Sequence, residues 1–166
     1  VTQSPVPGPV ISGCGTVQTI TLTAVDGGGG SEQCTFDVTL LDNIVPTFTG
    51  SLTASTVEGC VVGDAPAAVN TVAALEALAG DLDVSDNCSA DGAMSVSSSD
   101  VVAGTCPIVI TRTYTVTDEC GNPSADIVHT INIDDTTVPT FTGSLTATTV
   151  EGCVVGDAPA AVNTVA

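Results

Sequence analysis

The sequence predicts an all-β protein made of immunoglobulin-like β-sandwich repeats in tandem, with one short helix per repeat. The first observation is composition: hydrophobic residues make up 43% of the chain and aromatic residues only 2%. The apolar residues are mainly Val, Ala, Leu and Ile, and they alternate with many Thr and Ser, as in half-buried strands. The second observation is that these stretches are short and are separated by Gly, Pro and Asp turns. The third is an internal repeat.

The repeated stretch occupies residues 45–73 and again residues 138–166, and the two copies differ only at Ser55 and Thr148. They lie 93 residues apart, which is the size of one small independently folding domain. We therefore expect the chain to divide into the closing part of one repeat, one complete repeat and the opening part of the next, at residues 1–44, 45–137 and 138–166.

The first part is predicted to contain a strand remnant followed by a hairpin. The strands are expected at 1–3, 16–25 and 33–41, and the Asp-Gly-rich run at 26–31 is typical of a hairpin turn. Alternation predicts that one set of residues on the last strand faces a core, namely Cys34, Phe36, Val38 and Leu40.

The complete repeat is predicted to hold five strands and one helix. The strands are expected at 48–57, 82–85, 93–98, 108–117 and 126–133, with a loop at 99–105. Residues 71–79 have helical periodicity, and Gly80 stands where a helix stop belongs. Arg112 falls on a core-facing position and is expected to pair with an acid or to extend its head to solvent. His129 is expected to be a packed strand residue.

The two closing hairpins have the same layout. Cys14 and Asp26 are twelve residues apart, and so are Cys106 and Asp118. In both places the turn after the Asp leads to a strand, an Asp-containing linker and the sequence VPTF. We therefore interpret residues 1–44 and 106–137 as the same structural part of two diverged repeats.

The stretches TVTDECGNPSADIVHTINIDDTTVP, SDNC and GTCPIVITRTYTVTD resemble the hyalin-repeat-like, Ig-like modules of giant cell-surface adhesins in gliding Bacteroidetes. The resemblance covers essentially the whole chain. It implies extracellular display at the cell surface, tandem arrays and adhesion, and it brings no catalytic residues. The family commonly has Cys at the position of Cys34, whereas the complete repeat has Ile127 there, so its disulfide scheme does not transfer directly.

The charge balance restricts the partners. Nineteen acids stand against one Arg and no Lys, for a net charge of −18. Nucleic acid and anionic membranes are excluded as expected partners because both would be repelled. No apolar run is long enough for membrane insertion. The expected partners are neighbouring repeats of the same polypeptide or filament, and surface glycans or proteins are further possibilities.

Seven cysteines without a CxxC motif predict disulfides and an oxidising compartment. The expected strand course places Cys60 and Cys106 at one end of the repeat and Cys88 and Cys120 at the other, which favours the pairs Cys60–Cys106 and Cys88–Cys120. The partners of Cys14, Cys34 and Cys153 are then expected outside the chain. In an alternative arrangement, residues 138–166 of one chain complete residues 1–44 of a neighbour and Cys153 bonds to Cys14.

Acidic and amide side chains are predicted to gather where one repeat meets the next. They come from the linker and from two loops of the complete repeat, namely Asp42, Asn43, Asp86, Asn87, Asp118, Glu119 and Asn122. Converging oxygens of this kind could bind Ca²⁺ and stiffen the junction. The favoured alternative is that these residues form turns and cap strand ends, since no D-x-D-x-D loop occurs. No cofactor is required by the sequence, and calcium is the one candidate.

The predicted function is that of a structural repeat in an extracellular adhesin or surface filament, forming a disulfide-stapled rod that displays or mediates adhesion. One alternative is a self-assembling filament subunit joined by strand donation. Another is a calcium-stiffened ligand-binding module. An enzyme is not expected, because no G-x-S-x-G motif occurs and nothing in the sequence brings a catalytic triad together.

Overall fold

The computed structural model describes residues 1–6, 13–147 and 149–160. Strands dominate it and helices are few and short, which confirms the all-β prediction. The chain forms two compact units, Val1–Thr136 and Thr137–Ala166. Within the described residues, no helix is long and apolar enough to cross a membrane.

The first sheet contains β1 (Thr2–Ser4), β2 (Val17–Val25) and β3 (Ser31–Thr39), which pair antiparallel in that order. The β2–β3 hairpin is closed by Asp26, whose Oδ1 accepts hydrogen bonds from the backbone N–H groups of Gly28 at 2.9 Å and Gly30 at 2.8 Å. A short acidic side chain that satisfies its own turn is the reason why Asp is favoured there. The predicted hairpin is therefore confirmed.

The predicted core face of β3 is wrong. All nine residues of β3 are exposed, and Phe36 and Val38 expose 50% and 44% of their surface. Alternation identified which residues share a face, but the described residues provide no second layer over that face. These side chains are thus apolar residues without a core.

The second part of the first unit contains two sheets and one helix. Its elements, in chain order, are β4 (Thr47–Thr49), β5 (Ser55–Glu58), α1 (Val72–Glu76), β6 (Asp83–Ser85), β7 (Ser95–Ala103), β8 (Ile108–Thr117) and β9 (Ile127–Asp134). The larger sheet has the order β5-β9-β8-β7, in which β5 runs parallel to β9 and the other neighbours are antiparallel. β4 and β6 form a separate antiparallel pair.

Two predicted boundaries differ from the structure. The expected single strand 48–57 is broken into β4 and β5, which belong to different sheets. Gly50 causes the break: its φ is +73°, and a Cβ there would collide with the backbone carbonyl of Asp81. The expected loop 99–105 is wrong as well, because β7 continues to Ala103 and pairs with β8 along its full length.

One face of the larger sheet carries the core. Helix α1 begins at Thr71, whose Oγ1 accepts a hydrogen bond from the N–H of Ala74 at 3.2 Å. Its Val72 and Leu75 are completely buried and pack, with residues of the β4–β6 layer, against Tyr114 and Val116 of β8. A second apolar cluster lies at the other end of β8 and β9. It consists of Ile108, Ile110, Ile131 and Ile133.

A polar row separates the two clusters. Arg112 of β8 lies opposite His129 of β9, and both are buried. The Nε and Nη2 atoms of Arg112 donate to the two carboxylate oxygens of Asp100 at 2.8 Å each, and its Nη1 donates to the carbonyl of Pro66 at 2.8 Å. Burial, and then the charge of Arg112, lower the pKa of His129. The predictions of a paired Arg112 and a packed His129 are confirmed.

The second unit contains residues that repeat the sequence at the start of the complete repeat. Val155–Asp157 forms a 3-10 turn, and Asp157 Oδ2 accepts hydrogen bonds from the N–H groups of Cys153 at 2.8 Å and Val154 at 3.1 Å. Residues 137–147 and 149–160 form no strand. Phe141 is 96% exposed, and Leu145 is fully exposed. The local turn forms from its own residues, whereas the strands of the first copy depend on partners.

Asp100→Asn should destabilise the first unit, because it breaks a bidentate pair and leaves the guanidinium of Arg112 buried without its counter-charge. We expect a loss of about 1–2 kcal/mol, since solvent reaches 35% of the Asp100 side chain. Urea denaturation measures this loss. Asp83→Asn, at an exposed position of β6, is the matched control.

The effect should depend on pH in a defined direction. The hydrogen bonds from Arg112 hold the pKa of Asp100 below its ordinary value of 3.8. The stabilisation is therefore complete above about pH 4 and is lost as the pH falls further. Equal stabilities of Asp100→Asn and wild type at neutral pH would contradict this account.

Candidate metal centre

Three carboxylates meet at the junction between the first hairpin and the complete repeat. Asp42 lies in the linker after β3, Asp86 directly follows β6 and Asp118 directly follows β8. One carboxylate oxygen from each lies within 4.8 Å of the others. Asp42 and Asp118 expose only 8% and 5% of their surface. The sheet topology brings them together, because the linker, β6 and β8 all reach the same end of the repeat.

Each acid is held in place by its own loop. Asp42 Oδ1 accepts a hydrogen bond from the N–H of Ile44 at 3.0 Å. Asp86 Oδ1 accepts from the N–H groups of Cys88 at 2.9 Å and Ser89 at 2.7 Å. These are the local turns that Asp is expected to form. The turn-forming interpretation is therefore right, and it leaves the second oxygen of each of these two acids for another role.

Asp118 is the most extensively hydrogen-bonded of the three. Its Oδ1 accepts from the N–H of Asn122 at 2.7 Å, and its Oδ2 accepts from the Nδ2 of Asn122 at 2.7 Å. Burial acts to raise the pKa of Asp118, but these and further backbone hydrogen bonds outweigh it and lower the pKa. Asp118 is thus held as a carboxylate. The same Nδ2 donates to the carbonyl of Asp42 at 3.0 Å, so Asn122 connects the loop to the linker.

Two of the inward-facing oxygens have no partner. Asp42 Oδ2 and Asp86 Oδ2 are buried and accept no hydrogen bond. Burying carboxylate oxygens without compensation is costly, and three like charges at this separation repel one another. The single Arg of the chain cannot neutralise them, because it is bound to Asp100 within the core. A bound cation, or a proton shared between two of the acids, would offset this cost.

Calcium fits this arrangement. Ca²⁺ binds carboxylate oxygens at about 2.3–2.6 Å, so ligands on opposite sides of one ion lie about 5 Å apart. Oxygens within 4.8 Å of one another can therefore share it. Mg²⁺ needs shorter distances and stricter octahedral geometry. The donors that would hold the ion are Asp42, Asp86 and Asp118, and water or backbone carbonyls would complete its shell.

The other predicted ligands lie outside this cluster. Asn43 is exposed. Asn87 is exposed and directs its Nδ2 to the Sγ of Cys88 at 3.0 Å. Glu119 is exposed, and its backbone N–H donates to the Oγ of Ser89 at 3.2 Å. The structure thus brings together the three aspartates among the seven candidates. It also places Asn122 beside them, where its side chain hydrogen-bonds Asp118 and the carbonyl of Asp42.

A disulfide joins Cys14 to Cys120, with 5.1 Å between their Cα atoms. This corrects two predictions: Cys120 does not pair with Cys88, and the partner of Cys14 lies within the chain. Cys14 precedes β2 and lies beside the end of β3, where the N–H of Gly15 donates to the carbonyl of Leu40 at 3.0 Å. The prediction compared cysteines only within one repeat. Cys14 lies at the open end of the β2–β3 hairpin, and this is the end from which the chain continues into residues 45–137.

Five cysteines have free, exposed thiols: Cys34, Cys60, Cys88, Cys106 and Cys153. Cys60 and Cys106 lie beside the end of β9, and their Sγ atoms are 3.4 Å from Asp135 Oδ2 and 3.9 Å from Asp134 Oδ1. The hydrogen bond to Asp135, and then its charge, raise the pKa of Cys60. Cys60 and Cys106 therefore lie at the same end of the repeat, as predicted, but no disulfide joins them in the structure.

Cys88 lies next to the acidic cluster. Desolvation raises the pKa of its thiol, followed by the charge of Asp42, a hydrogen bond with Asp42, and the charges of Asp86 and Asp118. The loops that carry Cys88 and Cys120 contact each other through Ser89 and Glu119. The two cysteines therefore share one end of the repeat, as predicted, although Cys120 is bonded to Cys14 instead.

Comparison of the chain with protein-family models, with curated proteins and with solved structures finds no match.

Calcium should reverse the effect of removing one acid. In EDTA, Asp42→Asn should unfold at a higher temperature than wild type, because it removes one of three like charges that lie close together. At a calcium concentration of 100 times the Kd, wild type should gain about 2.7 kcal/mol and become the more stable protein. Differential scanning calorimetry shows which of the two proteins melts at the higher temperature in EDTA and which does so in calcium. Asp126→Asn, at an exposed position, is the control. A wild-type melting temperature that is the same in calcium and in EDTA would contradict the site.

Removing the disulfide should be costly because it closes a long loop. Cys14 and Cys120 are 106 residues apart, so the double replacement by Ser should lower the free energy of unfolding by about 3–5 kcal/mol. Guanidinium denaturation measures this change. Cys34→Ser, which replaces an exposed free thiol, should cause almost no loss. Equal effects of the two changes would show that the Cys14–Cys120 bond does not form in solution.

Proposed function

We propose that this chain is a stretch of an extracellular adhesin or surface filament, built as a rod of immunoglobulin-like repeats whose junctions are fixed by calcium and a disulfide. The observation that carries the proposal is the origin of the three acids. Asp42 belongs to the linker, whereas Asp86 and Asp118 belong to loops of the repeat that follows. An ion bound by all three holds the linker to the repeat.

Two further contacts restrain the same junction. The disulfide attaches Cys14, at the base of the first hairpin, to Cys120 in the loop after β8. Asn122 of that loop hydrogen-bonds the carbonyl of Asp42 in the linker. A linker that is restrained covalently, by hydrogen bonds and by a shared ion has little freedom to bend. Stiff junctions repeated along a chain give a rod that can carry an adhesive surface away from the cell.

The extracellular part of the proposal rests on chemistry. A disulfide persists in oxidising compartments, which favours a secreted protein. A site with only three carboxylates suits the extracellular calcium range, in which modules bind with a Kd of about 10⁻⁴–10⁻³ M. The sequence resemblance to surface adhesins points in the same direction. The β4–β6 and α1 layer over the larger sheet is compatible with an immunoglobulin-like sandwich.

The mechanical role predicts a change in motion. In calcium, with the disulfide intact, ¹⁵N relaxation should give β2, β3 and the complete repeat one common rotational correlation time. In EDTA with the double Cys→Ser variant, the hairpin should tumble faster than the repeat, because both restraints are removed. Asp126→Asn should behave as wild type in both buffers. Independent tumbling of the hairpin in calcium would contradict a stiff junction.

A further inference from the structure

A free thiol lies beside the disulfide of the junction. Cys120 is bonded to Cys14, whereas Cys88 has an exposed free thiol. Ser89, the residue after Cys88, accepts a hydrogen bond at its Oγ from the N–H of Glu119, the residue before Cys120, at 3.2 Å. The loop that carries the free thiol therefore contacts the loop that carries one of the bonded sulfurs.

The acidic cluster brings the same two loops together a second time. Asp86 stands two residues before Cys88, and Asp118 stands two residues before Cys120. A carboxylate oxygen of one acid lies within 4.8 Å of a carboxylate oxygen of the other. The N–H of Cys88 also donates to Asp86 Oδ1 at 2.9 Å, which ties the backbone of this cysteine to the cluster. Two independent contacts thus hold the Cys88 loop against the Cys120 loop.

The other free thiols of the first unit lie away from this disulfide. Cys60 and Cys106 lie beside the end of β9, and Cys106 precedes β8 whereas Cys120 follows it. Cys34 lies opposite Leu22, nearer to the closed end of the β2–β3 hairpin than to the open end. Among the free thiols of the first unit, Cys88 is therefore the one that is placed next to the bonded pair.

We propose that Cys88 exchanges with the Cys14–Cys120 disulfide, so that the covalent bond of the junction moves between two positions. The thiol of Cys88 loses its proton to water, and its sulfur forms a bond with the Sγ of Cys120. The bond between Cys120 and Cys14 breaks, and Cys14 leaves as a thiolate that takes up a proton. One disulfide and one thiol are present before and after the step, so neither an oxidant nor a reductant is required.

The exchange transfers the bond from the junction to the repeat. In the observed form, the disulfide joins residues 1–44 to the complete repeat. After exchange, the bond joins Cys88 to Cys120 within the complete repeat, which is the pair that the sequence favours, and the linker loses its covalent restraint. The inference rests on the proposed function, because the position of the bond regulates the stiffness of that same junction.

Disulfide mapping of the full chain tests the exchange. The other free thiols are first removed by Cys34→Ser, Cys60→Ser, Cys106→Ser and Cys153→Ser. The chain is incubated in EDTA without added thiol, and its free thiols are then alkylated under denaturing conditions. Cleavage before each Asp places the three remaining cysteines on separate peptides, namely 1–25, 86–90 and 118–125.

Two cross-linked products are expected, in which peptide 118–125 is joined either to 1–25 or to 86–90. Alkylation should fall at Cys88 and rise at Cys14 by the same fraction, and this fraction should not depend on protein concentration because the exchange is intramolecular. A chain that carries Cys88→Ser and retains Cys34 is the matched control, and it should keep only the bond to peptide 1–25. Cys14→Ser, oxidised with glutathione disulfide, should form the bond between Cys88 and Cys120.

Complete alkylation of Cys88 at every time, or a Cys14→Ser chain that forms no bond between Cys88 and Cys120, would overturn the exchange. Neither result touches the proposed function if the hairpin and the complete repeat still tumble together in calcium. Independent tumbling of the hairpin in calcium in the Cys88→Ser chain, where the bond cannot move, would instead contradict the proposed function and leave the exchange standing.

Discussion

The junction between hairpin and repeat depends on how three clustered carboxylates, two of them on buried residues, are neutralised. Nineteen acids face one Arg in this chain, and that Arg is committed to Asp100 inside the core. Asp42 Oδ2 and Asp86 Oδ2 consequently remain without partners, next to an Asp118 that its hydrogen bonds keep charged. A protein of this composition cannot supply the counter-charge from its own side chains. A cation from solvent is the simplest source, and it would make the linker part of the repeat.

Two nearly identical sequences take different structures here, and the difference shows which contacts matter. In both copies the turn at Asp64 or Asp157 closes through the same short-range hydrogen bonds. Among the described residues, the strands and the apolar contacts form only in the first copy, where β9 and β6 lie alongside. Local hydrogen bonds are encoded in the segment itself, whereas a strand requires a partner.

Sequence reasoning succeeded where the pattern is local and failed where geometry is long-range. β8 was predicted with its exact ends because strict alternation runs from Ile108 to a turn at Asp118. The far half of β7 was missed because its residues are exposed on both faces and show no alternation. At the site, Asp42, Asp86 and Asp118 could be predicted to meet because each comes after a strand that ends at the same end of the repeat. Asn43 and Asn87 are the next residues along the chain, and adjacent residues point in different directions, so the same reasoning does not place them in the cluster. The Cys14–Cys120 bond joins the hairpin part of the chain, residues 1–44, to residues 45–137, and no pattern within either segment reveals it.

The most direct test of the central claim is anomalous diffraction from crystals grown with calcium, recorded at a wavelength where calcium scatters anomalously. The account predicts one peak within bonding distance of Asp42 Oδ2, Asp86 Oδ2 and a carboxylate oxygen of Asp118. It also predicts that the peak is lost in Asp42→Asn crystals. A map with no peak at this position, and with two of the three carboxyl groups sharing a proton in a short hydrogen bond, would contradict it.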